Sequence, residues 1–84
     1  EGATGLREYD TPERLILKDE IQDTIARAID SLPDDLRTAI TLRELEGMSY
    51  EEIAQTMDCP IGTVRSRIFR ARDAIDTILQ PLLK

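Results

Sequence analysis

Apolar residues in this 84-residue chain recur at intervals of three and four, and no stretch alternates apolar and polar residues one by one. Intervals of three and four place side chains on one face of an α-helix, whereas a half-buried strand requires alternation. The pattern therefore predicts an all-α fold. Because the start of the chain has two glycines and no periodicity, we expect residues 1–11 to be a linker or expression remnant and residues 12–84 to form the domain.

Capping and helix-breaking residues divide the domain into four predicted helices. The first begins behind a cap at Asp10 or Thr11. The segment 31–35 contains a proline followed by two aspartates, which ends this helix and starts the next. Ser49 and Glu52 have the spacing of a capping box ahead of the third helix. The first predicted helix runs from Pro12 to about Asp30, and the second from the break at 31–35 to about Glu46. The third begins at Tyr50 and lasts about two turns. The fourth runs from Ile61 to about Leu79, before Pro81.

The last two helices and their connection have the pattern of a helix-turn-helix, with a two-turn helix, a short turn and a longer helix. Helices that cross closely need a small residue where their backbones meet, and Ala54 fits that position. The glycine often found in such turns is missing, so Asp58 is predicted to adopt the unusual backbone angle that the turn demands. The expected fold is a four-helix domain with a C-terminal helix-turn-helix.

The fourth helix is predicted to have one buried face and one polar face, because each residue advances about 100° around the helix. A solvated face has little reason to expose Phe69, whereas a DNA-binding helix can place an aromatic ring against thymine methyls or sugar edges. The inward stripe comprises Val64, Ile68, Ala71, Ile75 and Ile78. The opposite face carries Gly62, Ser66, Phe69 and Arg70, flanked by Thr63 and Arg65.

Charge is distributed unevenly along the chain, whose net charge is −6. Residues 1–59 contain 6 basic and 15 acidic residues, whereas residues 60–84 contain 5 basic and 2 acidic residues. Four arginines and no acid fall within residues 61–72, in the first half of the helix, where the helix dipole favours acids. The run therefore favours a DNA-binding face over a merely solvated one. The DNA-binding residues predicted on this helix are Thr63, Arg65, Ser66, Arg67, Phe69 and Arg70.

Two of the side chains singled out lie off that helix. Arg43 is at the edge of an apolar face of the second helix, where a snorkelling side chain and an arm that reaches DNA are equally compatible with the pattern. Cys59 is expected to fill a small space in the turn rather than to react.

Composition disfavours several classes of protein. Without histidine the commonest general base is missing, so we do not expect an enzyme. A single cysteine makes no internal disulfide and no zinc site, so we expect no metal, no cofactor and a reducing, cytoplasmic location. Apolar runs are too short for membrane insertion, and no signal peptide is visible. Since the sequence starts with Glu1 instead of methionine, a neighbouring domain is expected outside it.

Residues 32–75 resemble region 4 of extracytoplasmic-function sigma factors and are very similar to the envelope-stress sigma-E group. The resemblance rests on three motifs that are specific in combination, SYEEIA (49–54), GTVRSR (62–67) and FRAR (69–72). It covers about half of the chain strongly and the first helix more loosely. The match identifies the chain as a relative of stress-response sigma factors.

The resemblance implies that the fourth helix binds the −35 promoter element, and that a groove formed by other helices contacts the β flap of RNA polymerase. It also implies an anti-sigma factor that masks these surfaces. Region 2 of the family, which melts the −10 element, is absent, so the chain alone is not expected to initiate transcription. The family's base and backbone contacts fall on Arg43, Arg65, Ser66, Phe69 and Arg70.

Two other functions are compatible with the residues. The output domain of a dimeric transcriptional regulator needs a self-association face, which Leu79, Leu82 and Leu83 could supply, although Pro81 interrupts the predicted helix there. A protein-interaction adaptor would use the apolar sides of the first two helices and pair its arginines with a partner's acids. A sigma domain is expected to be a monomer and, with a net charge of −6, to bind DNA weakly by itself.

Overall fold

The computed structural model describes residues 12–83, which form four helices and, within that range, no strand. The helices are α1 (Pro12–Ser31), α2 (Asp34–Glu44), α3 (Tyr50–Met57) and α4 (Ile61–Leu83). The predicted all-α class is confirmed. The predicted linker at residues 1–11 and the predicted cap at Asp10 or Thr11 lie outside the described residues. No helix in the described range is both long enough and apolar enough to span a membrane.

The turn between α2 and α3 depends on a left-handed glycine. α2 ends at Glu44, two residues before the predicted end at Glu46. Gly47 then adopts a φ of 69°, a conformation that glycine reaches without steric cost. This reverses the chain, and the Met48 N–H donates to the carbonyl oxygen of Leu42 at 3.1 Å.

The start of α3 and its turn into α4 follow the sequence closely. Ser49 Oγ accepts a hydrogen bond from the Glu52 N–H at 3.1 Å, and Glu52 Oε1 accepts one from the Ser49 N–H at 2.8 Å. This reciprocal pair is the predicted capping box. Asp58 adopts a left-handed conformation with φ 55° and ψ 54°, as predicted for a turn that lacks glycine. The helix-turn-helix is thus specified by local chemistry.

α4 is longer than predicted, because it continues through Pro81 to Leu83 instead of ending near Leu79. A proline inside a helix removes a hydrogen-bond donor and costs about 3 kcal/mol in a helix interior. Leu79 is buried and Leu82 half-buried, and burial of one such side chain contributes about 1.5–3 kcal/mol. Packing at the end of α4 therefore offsets the local cost of the proline.

α4 lies at the centre of the domain and packs against each of the other three helices. Of the predicted inward stripe, Val64, Ile68 and Ala71 are buried and Ile75 is half-buried. Ile78 was predicted to be buried, but its side chain is exposed, and the neighbouring Leu79 is buried instead. The core cluster comprises Leu32, Ala39, Ile40, Ile53, Val64, Ile68 and Ala71.

Candidate nucleic-acid interface

The first half of α4 presents a polar, basic side to solvent. Phe69 is 72% exposed in the middle of this side. Arg65, Ser66 and Arg70 are exposed around it, and Thr63 is half-exposed. We refer to these five residues as the α4 outer face. The structure therefore brings together five of the seven residues predicted to bind DNA.

Two arginines of the α4 outer face are available to a ligand. Among the described residues, neither Arg65 nor Arg70 forms an ion pair with a carboxylate. An arginine guanidinium can form two parallel hydrogen bonds with a phosphate or with O6 and N7 of guanine. The face therefore offers bidentate donors on both sides of the exposed ring.

A polar concavity of about 390 Å³ adjoins the α4 outer face. A Cβ built on Gly62 would have no neighbouring atom within 4 Å, so the backbone of α4 is open to a ligand there. The hydroxyl and guanidinium groups in the concavity can donate to the acceptors that a nucleic acid presents. The residues that line the concavity are Asp35, Gly62, Thr63, Ser66, Arg67 and Arg70.

Arg67 is held by contacts within the domain. Its Nε lies 3.7 Å from Oδ2 of Asp35 on α2, and its Nη1 lies 3.8 Å from Sγ of Cys59. Only 25% of the side chain is exposed. Cys59 is itself half-buried against the core, where it fills space in the turn as expected. Arg67 is therefore less accessible than Arg65 and Arg70.

Arg43 is held at the start of α3 and does not extend freely into solvent. Its Nη1 donates to the carbonyl oxygen of Met48 at 2.8 Å, and its Cζ lies 5.0 Å from the centroid of the Tyr50 ring. The second distance is that of a cation–π interaction. The sequence was compatible with either a snorkelling Arg43 or an arm that reaches DNA, and it did not predict the contact with Tyr50.

Arg72 belongs to the same arginine run but joins α4 to α2. Its Nη2 lies 2.5 Å from Oε2 of Glu44. This hydrogen bond is the main cause that raises the pKa of Arg72, and the Tyr50 side chain contributes to the same shift. The two partners are 28 residues apart, so helical periodicity does not reveal the pair. The guanidinium of Arg72 is therefore already paired within the domain.

A second surface, which we call the apolar groove, lies between α1, α2 and α4 and has a volume of about 340 Å³. The side chain of Leu45 is 71% exposed at this groove. Glu44 and Arg72 also line it. Its apolar residues are Ile25, Ile29, Ile40, Leu45 and Ile75.

The apolar groove and the α4 outer face use different sides of α4. Ile75 follows Phe69 by six residues, which turns it about 240° around the helix. Ile75 is half-buried, whereas Phe69 is exposed. The residues that line the groove therefore include none of the α4 outer face.

A capped short helix, a left-handed turn and a long helix with a basic, solvent-facing first half define a helix-turn-helix domain of the DNA-binding class. The profile of the family described as "Sigma-70, region 4" matches residues 22–75, which is more than half of the chain. The chain belongs to the sigma-70 region 4 family.

Comparison with individual proteins agrees with the predicted resemblance to sigma-E factors. The chain is 62% identical over 84 residues to an RNA polymerase sigma-H factor of Pseudomonas aeruginosa. It is 61% identical over the same length to the ECF RNA polymerase sigma-E factors of Salmonella typhimurium and Escherichia coli K12. Each alignment covers 100% of this chain and 44% of the relative, so the chain spans less than half the length of these proteins.

Proposed function

We propose that this domain recognises the −35 promoter element as part of an RNA polymerase sigma factor, with the first half of α4 in the DNA major groove. The observation that carries the proposal is the 72% exposure of Phe69 between two arginines that make no ion pair with a described carboxylate. The major groove is about 12 Å wide and admits an α-helix. There the ring would contact thymine methyls or sugar edges while the arginines read guanines or bind phosphates.

The other predicted contacts have distinct roles in this proposal. Thr63 and Ser66 would donate hydroxyl hydrogen bonds to base edges or phosphates beside the open backbone at Gly62. Arg43 would bind the DNA backbone from its position over Tyr50, since a phosphate needs only a correctly placed cation. Arg67 would reach DNA only if it left Asp35.

The apolar groove is the proposed docking site for the β flap of RNA polymerase. It is apolar, it exposes Leu45, and it leaves the α4 outer face accessible. An anti-sigma factor that covered the groove or the outer face would block the polymerase or the promoter. This assignment rests on family membership and on the shape and chemistry of the groove, and it implies action in the cytoplasm.

Isolated binding to DNA should be weak. The chain carries a net charge of −6, and a few cationic contacts supply only a salt-dependent attraction. Attachment to the polymerase would raise the effective concentration of the domain near the promoter. We therefore expect the holoenzyme to bind the −35 duplex more tightly than the 84-residue chain does.

The direct test is selection of DNA by the 84-residue chain. A duplex library randomised across one turn of the major groove is enriched on the immobilised chain at one stated low salt concentration, where even a weak domain binds measurably. The enriched duplex and a scrambled duplex are then titrated. We expect one sequence to be enriched and to bind more tightly than its scrambled version. A folded chain that enriches no sequence would contradict promoter recognition.

Sedimentation of the free chain separates the proposal from a dimeric regulator. A sigma domain reads one site as a monomer, whereas a regulator of the helix-turn-helix class binds paired half-sites as a dimer. We expect a monomer with and without the enriched duplex. A stable dimer would favour the regulator.

A further inference from the structure

Asp34 and Asp35 are consecutive acids in the first turn of α2, but they have different neighbours. Asp34 forms an ion pair with Arg37, one turn further along α2, and its side chain is 89% exposed. Asp35 lines the polar concavity beside the α4 outer face, and its Oδ2 lies 3.7 Å from Nε of Arg67. Of these two acids, only Asp35 places a negative charge where the proposed DNA ligand would bind.

The carboxylate of Asp35 is oriented by the backbone. Its Oδ1 accepts a hydrogen bond from the Leu36 N–H at 2.8 Å, while Oδ2 faces Arg67. Asp35 is also the one acidic residue among the described residues that line the concavity. The side chains of Thr63, Ser66 and Arg70 around it suit an anionic ligand, so Asp35 opposes the ligand that its neighbours favour.

We infer that Asp35 lowers the affinity of the α4 outer face for the DNA backbone, by pairing with Arg67 and by repelling phosphates that approach the concavity. This inference rests on the proposed DNA binding. Because phosphate contacts carry no sequence information, the effect is the same for every duplex. Weakened backbone binding leaves base contacts and attachment to the polymerase to decide where the domain binds.

Asp35→Asn tests the inference, because it removes the charge and keeps an oxygen that can accept from the Leu36 N–H. We expect the Kd values for the enriched duplex and for its scrambled version each to fall about threefold or more at low salt. The slope of log K against log salt should also become steeper by about one, because the released Arg67 displaces one further counterion. A purely structural role of Asp35 would not change this slope.

Asp34→Asn is the matched control, since it makes the same charge change in the same helical turn. It should leave the salt slope unchanged, because Asp34 pairs with Arg37 and does not line the concavity. Arg67→Gln removes the guanidinium that faces Asp35. When Arg67→Gln is combined with Asp35→Asn, it should remove the increase in the slope of log K against log salt.

Circular dichroism melting establishes that each variant is folded. If Asp35→Asn lowers the melting temperature, Asp35→Ser, whose hydroxyl can also accept from the Leu36 N–H, provides the same test. Equal affinities and slopes for the Asp34 and Asp35 variants would overturn the inference, as would an added slope that persists when Arg67→Gln is combined with Asp35→Asn. A wild-type chain that binds the two duplexes equally would instead overturn promoter recognition.

Discussion

Ile68 and Phe69 are consecutive residues of α4 with opposite environments, because Ile68 is 1% exposed and Phe69 is 72% exposed. A helix turns about 100° per residue, so adjacent side chains can lie on different sides of it. One of these residues belongs to the core, and the other lies at the centre of the α4 outer face. The pair allows stability and DNA binding to be measured separately.

Substitution at these two positions should separate the two properties. Phe69→Ala should leave the melting temperature nearly unchanged, because the ring that is lost is exposed to solvent. It should weaken binding to the enriched duplex about tenfold or more, because that ring is the proposed contact with thymine methyls or sugar edges. Ile68→Ala should reduce the free energy of unfolding by about 2–5 kcal/mol, the usual cost of a core cavity. Thermal melting and fluorescence anisotropy measure the two effects. A Phe69→Ala chain that binds the duplex normally would contradict the proposed interface.

Arg70→Ala should change which base pair is preferred at one position of the site. Loss of a bidentate contact to guanine costs about 1–3 kcal/mol of discrimination. Titration of duplexes that vary at single positions measures the change. Arg72→Ala is the control from the same arginine run, since Arg72 pairs with Glu44, and it should not alter base preference. Equal weakening across all duplexes would assign Arg70 to a phosphate.

Tyr50→Leu should weaken DNA binding through Arg43. The ring lies 5.0 Å from the guanidinium carbon, and a cation–π contact at such a site is worth about 0.5–1 kcal/mol. Tyr50→Phe keeps the ring and should retain the affinity. In a chain that already carries Arg43→Ala, Tyr50→Leu should have no further effect on Kd. Additive losses in this double-mutant cycle would show that Tyr50 does not position Arg43.

Leu45→Ser should weaken binding to the isolated β flap of RNA polymerase without changing binding to DNA. Leu45 is 71% exposed in the apolar groove, so its replacement should leave the fold intact while removing apolar area from the proposed contact. Leu83→Ser is a suitable control, because Leu83 is 60% exposed and does not line the groove. Calorimetric titration of the flap measures both variants, and equal losses would argue against docking at the groove.

Asp58→Gly should preserve or raise the stability of the domain, whereas Asp58→Ala should lower it. Asp58 has a φ of 55°, a left-handed conformation that costs most L-residues about 1–2 kcal/mol and costs glycine little. Urea denaturation of both variants measures the difference. A chain in which alanine is as stable as glycine would show that the turn relaxes into another conformation.

The sequence by itself determined the helix-turn-helix and the side of α4 that faces solvent. The capping box at Ser49 and Glu52, the left-handed turn at Asp58 and the exposure of Phe69 all depend on residues within a few positions of one another. Helical periodicity and capping act over that distance, so they can be predicted from the order of residues alone.

Tertiary structure alone decided which arginines of α4 are available to a ligand. Arg65, Arg67, Arg70 and Arg72 are equivalent in a charge count, yet packing brings Asp35 to Arg67 and Glu44 to Arg72. Burial of Leu79 accompanies the continuation of α4 through Pro81, against the local preference. An ion pair depends on which distant carboxylate lies within about 4 Å, and only the folding of α2 against α4 establishes that distance.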